Sequence, residues 1–465
     1  MKTKMNTEDH PEVFAAIREL DVEQPEKATS REGHGLLSRI GGERATQGPG
    51  NKIVYFKGKT HVVWQDAYQE RYFARIRTLD HENQTWLKGE VLMEGVDEHS
   101  RPTLAITPDG ILHVIMGGHN TPLQYRQSVW PNDSSEWTPT VTFGAGTYPV
   151  LLAAKDGSLL LAVRSANHSG MEVWERPTGG LWALKSALVE RDDRFTNYSA
   201  FPNGFAWGPE QTTLHHSTGL FLSHDPGPGE VVRDTAGIYQ GIGYLYSLDG
   251  GQTWQRSDGQ SVTLPATPKT LDLLIEAEGK HPKPGLSHGG IAVNSEDVPF
   301  LAFTRHHPTP GEVLLYTLDT QREWKTLPGL QEAVQKTWPG FGLLTVRLSI
   351  SDRDRICAVG TLIPLEHEEA NWNPGIHGLP DYWLRSFQDL HRCVWLESTD
   401  QGETFSAIPR TPAPEAGKGQ HMPSIERREG ANGLPLERPR FLYTEGNSDY
   451  PPVGETYQNA VYFAG

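Results

Sequence analysis

Ser247-Leu-Asp-Gly-Gly-Gln-Thr-Trp254 returns later in the chain as Ser398-Thr-Asp-Gln-Gly-Glu-Thr-Phe405. Both fit the pattern S/T-x-D-x-G-x-T-W/F, and each position has a physical task. The Asp accepts backbone N–H groups in a tight turn, the Gly takes a positive φ, and the aromatic packs between sheets. Looser versions run from Thr78-Leu-Asp80 to Trp86, from Asp133 to Trp137, from Thr178-Gly-Gly to Trp182 and from Thr317-Leu-Asp319 to Trp324. A turn that repeats implies a structural unit that repeats.

The units between these turns read as strand–turn–strand: Ile53–Trp64, Thr103–Met116, Val150–Val163, Ile291–Phe303 and Leu344–Gly360. Their spacing, roughly 45–80 residues, fits four-stranded blades carrying loop insertions. The reading is an all-β chain, a β-propeller of about six or seven blades and most simply seven. Asn459–Phe463 is placed to complete a blade begun near the N-terminus, which closes the ring and hides sheet edges. Short helical insertions are expected at Lys269–Glu278, Leu330–Lys336 and Asp381–Cys393, with a further helix over residues 11–20. Residues 1–50 read as an N-terminal helix and arm, and residues 51–465 as a single propeller domain. A sandwich with added domains is the alternative architecture.

Composition agrees. The 465 residues include 48 Gly and 34 Pro, spread rather than clustered, and 13 Trp. The net charge of −16 argues against a nucleic-acid surface. It leaves room for an anionic sugar, since a local group of Arg and His overrides a mean field. Cys357 and Cys393 fit free thiols. The start of the chain has no apolar signal region, and no apolar run is long enough to span a bilayer, so a cytoplasmic protein without membrane contact is expected.

In a propeller, residues just before a blade's first strand and just after its second cluster at one mouth of the channel. His99 and His119 lie equally far from Asp109, the centre of the turn Pro108-Asp109-Gly110. An antiparallel pair therefore sets them opposite each other. The same mirror test about Asp156 pairs Tyr148 with Arg164. It adds Asn120, His288, Arg305 and His421 to the mouth. Each alone reads as an ordinary surface or structural residue; several polar groups at one mouth are what a binding site requires. His215, His216, His224 and His281 match no metal-ligand spacing. No cofactor is required, although a structural calcium or zinc ion is compatible. A phosphate loop, a nucleophile elbow and a metal-binding Cys pair are absent from the sequence.

The His99–His119 hairpin with Pro122-Leu-Gln-Tyr125 resembles the BNR-4 group of Asp-box propellers, which includes ulvan lyases and other enzymes acting on rhamnose–glucuronate linkages. The likeness runs through Asp156-Gly157, Val163-Arg164, Trp174-Glu-Arg176, Asn197-Tyr198, Tyr244–Trp254 and Gly289–Val293. It implies active-site roles for His99 and His119, with Tyr148 or Tyr198 moving a proton. It also implies Arg176 or Arg164 on the uronate carboxylate. Val163 stands where the group shows Tyr, and His288 where it often shows Gln. The resemblance thus implies a lyase that splits a uronate-containing oligosaccharide by β-elimination. A sialidase-like or rhamnosidase-type hydrolase, using carboxylates such as Asp66, Asp97 and Glu98, is the rival enzyme. A sugar-binding propeller with Trp64, Trp207 or Trp338 as platforms is the non-catalytic rival.

Overall fold

The computed structural model describes residues 16, 34–167, 169–191, 199–200, 203–223, 237–276, 286–305, 311–365, 388–428, 430, 438–446 and 458–465. Nearly all the described elements are β-strands, paired antiparallel into repeated units. One unit orders Leu286–Val293, Pro299–Arg305, Glu312–Leu318 and Trp324–Leu327; the next orders Phe341–Ile350, Ile356–Pro364, Arg392–Ser398 and Ser406–Ile408. Inner strands such as Leu159–Ser165 (Leu-Leu-Leu-Ala-Val-Arg-Ser) are buried along their whole length. A continuous apolar run suits a strand covered on both faces by neighbouring sheets. Third strands such as Glu312–Leu318 alternate buried and half-buried positions instead.

The repeated turns form as their chemistry requires. Ser247 Oγ donates to Asp249 Oδ1 at 2.8 Å and accepts Gly251 N at 2.8 Å, while Asp249 Oδ1 accepts Thr253 N at 2.9 Å. Asp400 likewise accepts Ser398 Oγ at 2.7 Å and Thr404 N at 3.0 Å. Trp254 and Phe405 are wedged into separate inter-sheet cores.

The two ends of the described chain share a sheet. Asn459–Ala464 pairs with His34–Gly41, from His34↔Ala464 to Gly41↔Asn459. Closure is therefore as expected, but the arm drawn over residues 1–50 is strand from His34 onward. The following loop is buried: Thr46 Oγ1 donates to Met422 O at 2.6 Å, and Pro49 O accepts Arg427 Nη2 at 2.5 Å. The helix expected at Leu330–Lys336 is present as Gly329–Thr337. The one expected at Lys269–Glu278 is instead the strand Asp272–Glu276, paired with Gly241–Tyr244. Tertiary contacts override helix propensity there, since the Asp272 carboxylate accepts Ser257 N at 2.6 Å and Arg256 Nε at 3.0 Å. Of Asp381–Cys393, Gln388–Leu390 is a 3-10 turn and Arg392 opens a strand; residues 381–387, like residues 11–20 apart from 16, lie outside the described residues. Among the described residues no helix is long and apolar enough to cross a membrane.

One detail of the fold positions the site. The inner strands slip register near their open ends, between Thr147 and Val150, His288 and Gly290, Leu343 and Thr345, and His421 and Ser424. Such bulges re-aim side chains next to functional sites. Tyr148 and Met422 sit in them at φ 61° and 52°.

Candidate active site

The hairpin Pro102–Ile106 and Leu112–Met116 runs in register from Ile106↔Leu112 to Pro102↔Met116. Extending that register past its open end brings His99 and His119 face to face. Their rings stack with centroids 4.2 Å apart and planes at 29°. Asp97 joins them: Oδ1 lies 3.2 Å from His99 Nδ1, and Oδ2 lies 3.0 Å from His119 Nδ1. The loop that carries Asp97 is braced internally. Ser100 Oγ accepts Val96 N at 2.9 Å, Asp97 Oδ1 accepts His99 N at 2.8 Å, and Gln65 Nε2 donates to Ser100 O at 2.8 Å.

The next inner strand supplies a second wall. The bulge offsets the expected Tyr148–Arg164 pair, so that Thr147 lies opposite Arg164 and Tyr148 turns out of register. The Tyr148 ring stands 6.0 Å from the His99 ring. Two guanidinium groups flank it, Arg101 at 4.9 Å and Arg164 at 4.8 Å from the ring centroid. Arg164 is 0% exposed. It donates from Nη2 to Asn120 Oδ1 at 3.0 Å and to Thr147 Oγ1 at 2.9 Å. Its effect on a ligand therefore passes through Asn120, whose amide oxygen it occupies. The Asn120 Nδ2 donors then turn away from Arg164, and Asn120 itself holds φ 59°.

Electrostatics fix the proton positions. Burial pushes the Asp97 carboxyl up, but hydrogen bonds from His119 and His99, with the charge on His99, outweigh it and hold Asp97 well below the usual carboxylate range. Burial pushes His99 below 6.5; the hydrogen bond to Asp97 opposes this, and the Arg44 and Arg101 charges add to it. An ionised Asp97 is an acceptor only, so each histidine gives it an Nδ1–H, and in the neutral imidazole the lone pair then lies on Nε2. The His119 side chain is 36% exposed and that of His99 16%, which makes His119 the more open of the two. Asp97, expected as a carboxylate for hydrolysis, instead orients both histidines, and Arg101 joins the site from a position that no sequence motif marks. Arg44, 3.9 Å from Glu98 Oε1, comes from the segment read as an arm.

Other expected members lie elsewhere. Arg176 pairs with Leu159, at the turn end of its blade, and packs on Tyr125 at 5.3 Å with Gln127 Oε1 3.3 Å from Nη2. It is corrected to the opposite face. His288 is buried, shares a 2.9 Å hydrogen bond with Ser217 Oγ, and burial pushes it down to about 3. His421 is fully buried and held at about 4 by burial. Arg305 is paired with Glu312, Nε to Oε2 at 2.7 Å. These three sit near the open ends of their blades but make no described contact with the stacked histidines. Tyr198, His224 and His281 lie outside the described residues. His215 bonds Tyr244 at 2.8 Å and Asp297 at 3.1 Å. Val163 is a core residue. Cys357 and Cys393 are free and buried. Among the described residues, Asp97, His99 and His119 are the group whose ligand atoms lie close enough for a metal, within 4.8 Å of one another. That donor set suits zinc rather than calcium, which prefers oxygen.

Fold and site together define an Asp-box β-propeller with a His–Tyr–Arg pocket at the open end of two blades. The model of the BNR repeat-containing family matches residues 57–329, and the chain belongs to that family. It is 25% identical over 257 residues to an ulvan lyase of Nonlabens ulvanivorans, covering 47% of this chain and 52% of that protein. It is 22% identical over 248 residues to an ulvan lyase of Alteromonas sp. (strain LOR), covering 47% and 50%. The chain thus matches about half the length of these relatives. In three dimensions it is similar to a PL25 ulvan lyase bound to -[GlcA(1-4)Rha3S]-, with a TM-score of 0.65 and 15% identity over 92% of this chain and 95% of that one. At that identity the likeness speaks for the fold.

Proposed function

We propose that this chain is a polysaccharide lyase that cleaves a uronate-containing glycan by β-elimination, at a rhamnose–glucuronate linkage of the ulvan type. The observation that carries the reading is the stacked His99–His119 pair held on one ionised carboxylate beside Tyr148. The relatives named ulvan lyases support the substrate class.

Elimination needs the uronate carboxylate neutralised, a base for the C5 proton and an acid for the leaving oxygen. Asn120 Nδ2 and Arg101 take the carboxylate, with Arg164 holding Asn120 in place. His119 Nε2, the more open lone pair, removes the C5 proton. The C4–C5 double bond forms as the C4–O bond breaks, and the Tyr148 hydroxyl gives its proton to the departing oxygen. His99 and Asp97 keep His119 in the basic tautomer.

The hydrolase reading loses two of its three carboxylates, and the third, Glu98, lies 3.4 Å from His99 Nδ1 and 3.9 Å from Arg44 Nη2. Asp97 is engaged by both imidazoles, and Asp66 is enclosed, bonded to Trp64 Nε1 at 2.7 Å and Arg75 Nη1 at 3.1 Å. Mass analysis of products from a glucuronate–rhamnose oligosaccharide tests the reading. Lyase products sum to the substrate mass, and a sum heavier by one water rejects it in favour of hydrolysis.

A further inference from the structure

Asp97, His99 and His119 each offer one ligand atom to a shared space, and those atoms lie within 4.8 Å of one another. Asp97 Oδ1 is 3.2 Å from His99 Nδ1, and Asp97 Oδ2 is 3.0 Å from His119 Nδ1. Zinc holds nitrogen and oxygen ligands at about 2.0–2.2 Å, so neighbouring ligands of a tetrahedral ion stand roughly 3.3–3.6 Å apart. Both pairs are already close to that spacing. Glu98 Oε1 lies 3.4 Å from His99 Nδ1, with Arg44 Nη2 3.9 Å from the same oxygen. Two carboxylates therefore stand against the Arg44 and Arg101 charges that face His99. His119 is the more open of the two rings and has room to turn its Nδ1 onto an ion.

We propose that one zinc ion binds Asp97, His99 and His119, with water in the fourth position, and that it shuts the lyase site reversibly. The shutting, though not the binding, rests on His119 being the base of the elimination. Its chemistry is a change of tautomer. In the working site each imidazole keeps its proton on Nδ1, where Asp97 accepts it. Zinc takes the Nδ1 lone pair instead, so the proton of each neutral ring passes through solvent to Nε2. His119 Nε2 then donates and no longer accepts the C5 proton. One ion enters, two protons change nitrogen, and the neutral rings lose none. Calcium, which prefers oxygen ligands, has no comparable hold on two imidazoles.

The test titrates the chelator-treated native chain with zinc chloride, and with calcium chloride as control. Binding is read by competition with a chromogenic chelator, without substrate, and elimination is read in parallel. One zinc per chain is expected, activity falls along the same saturation curve, excess chelator restores it, and calcium does neither. Affinity is expected to drop about 100-fold or more in Asp97→Asn and His119→Ala, since each removes a ligand where even an outer partner is worth 10–100-fold. Imidazole nitrogen spectra of the native chain need no variant: zinc is expected to convert Nε2 of both histidines from bare to protonated. Zinc bound equally well by both variants, or Nε2 atoms that stay bare, overturns the proposal, as does activity that is unchanged or raised when zinc is bound. A chain that binds zinc through these residues but eliminates nothing upholds the metal site and rejects the lyase reading; a chain that eliminates and binds no zinc does the reverse.

Discussion

His99 and His119 stack 4.2 Å apart, and each gives its Nδ1–H to a different oxygen of Asp97. One carboxylate thus sets the tautomer of two imidazoles at once. Replacing His119 by Ala removes the base and is expected to lower kcat by about 10²–10⁴-fold with little change in KM. His99→Ala removes its stacking partner and is expected to cost less. Steady-state kinetics on a uronate oligosaccharide checks both values.

Asp97→Asn keeps the shape of the loop but ends the double Nδ1–H acceptance. A wrongly oriented imidazole costs up to about 10⁴-fold in kcat in sites of this logic. The variant also shifts pH dependence in a defined direction. The hydrogen bond to Asp97 raises His99 against the effect of burial, so its removal lowers the His99 pKa further. An NMR titration of the His99 imidazole is therefore expected to move to lower pH in the variant, and a move to higher pH contradicts the hydrogen bond to Asp97.

Arg164 and Asn120 act as a unit. Asn120→Ala loses the carboxylate donor, and about 10²-fold in kcat is expected to go with it. Arg164→Lys keeps the charge but not the fork that pins the amide, and a loss of similar size follows. Because one residue acts through the other, the double variant is expected to be little worse than either single one. Additive losses separate the two roles and reject the coupling.

Stability should fall on mild acidification. Burial pushes His113, His216, His288 and His391 down to about 3, and His61 and His421 to about 4, from 6.5. The unfolded chain therefore binds more protons below pH 6.5, and stability is lost as pH falls from there towards the folded values. Each group costs about 2 kcal/mol by pH 5. Urea midpoints measured between pH 8 and pH 5 are expected to drop steeply, well above the carboxylate range; a flat profile contradicts these buried neutral states.

Much of the architecture is legible in the sequence because turn chemistry is local. The two full Asp-box turns form their expected hydrogen bonds, and the His99–His119 meeting follows from counting outward from Asp109. The mirror argument is offset by one residue where register slips: the bulge at Thr147–Val150 sets Thr147 opposite Arg164, while the Tyr148 ring still packs on the Arg164 guanidinium and also stands 6.0 Å from the His99 ring. Arg176 came from resemblance, and the pairing Leu159↔Arg176 puts it at the wrong end of its blade. Asp97 was visible as a residue but not as an orienter, since that role depends on how a loop held by Ser100 and Gln65 folds. Arg44 was hidden because nothing local shows that a polar segment is drawn into the interior.

The central claim is that the histidine pair performs elimination. The direct measurement is the ultraviolet absorbance of the conjugated unsaturated uronate, followed during incubation of the native chain and His119→Ala with glucuronate–rhamnose oligosaccharides. The account predicts that absorbance grows with the native chain and is all but lost with the variant. New reducing ends without that absorbance, or absorbance at the native rate from His119→Ala, contradicts it.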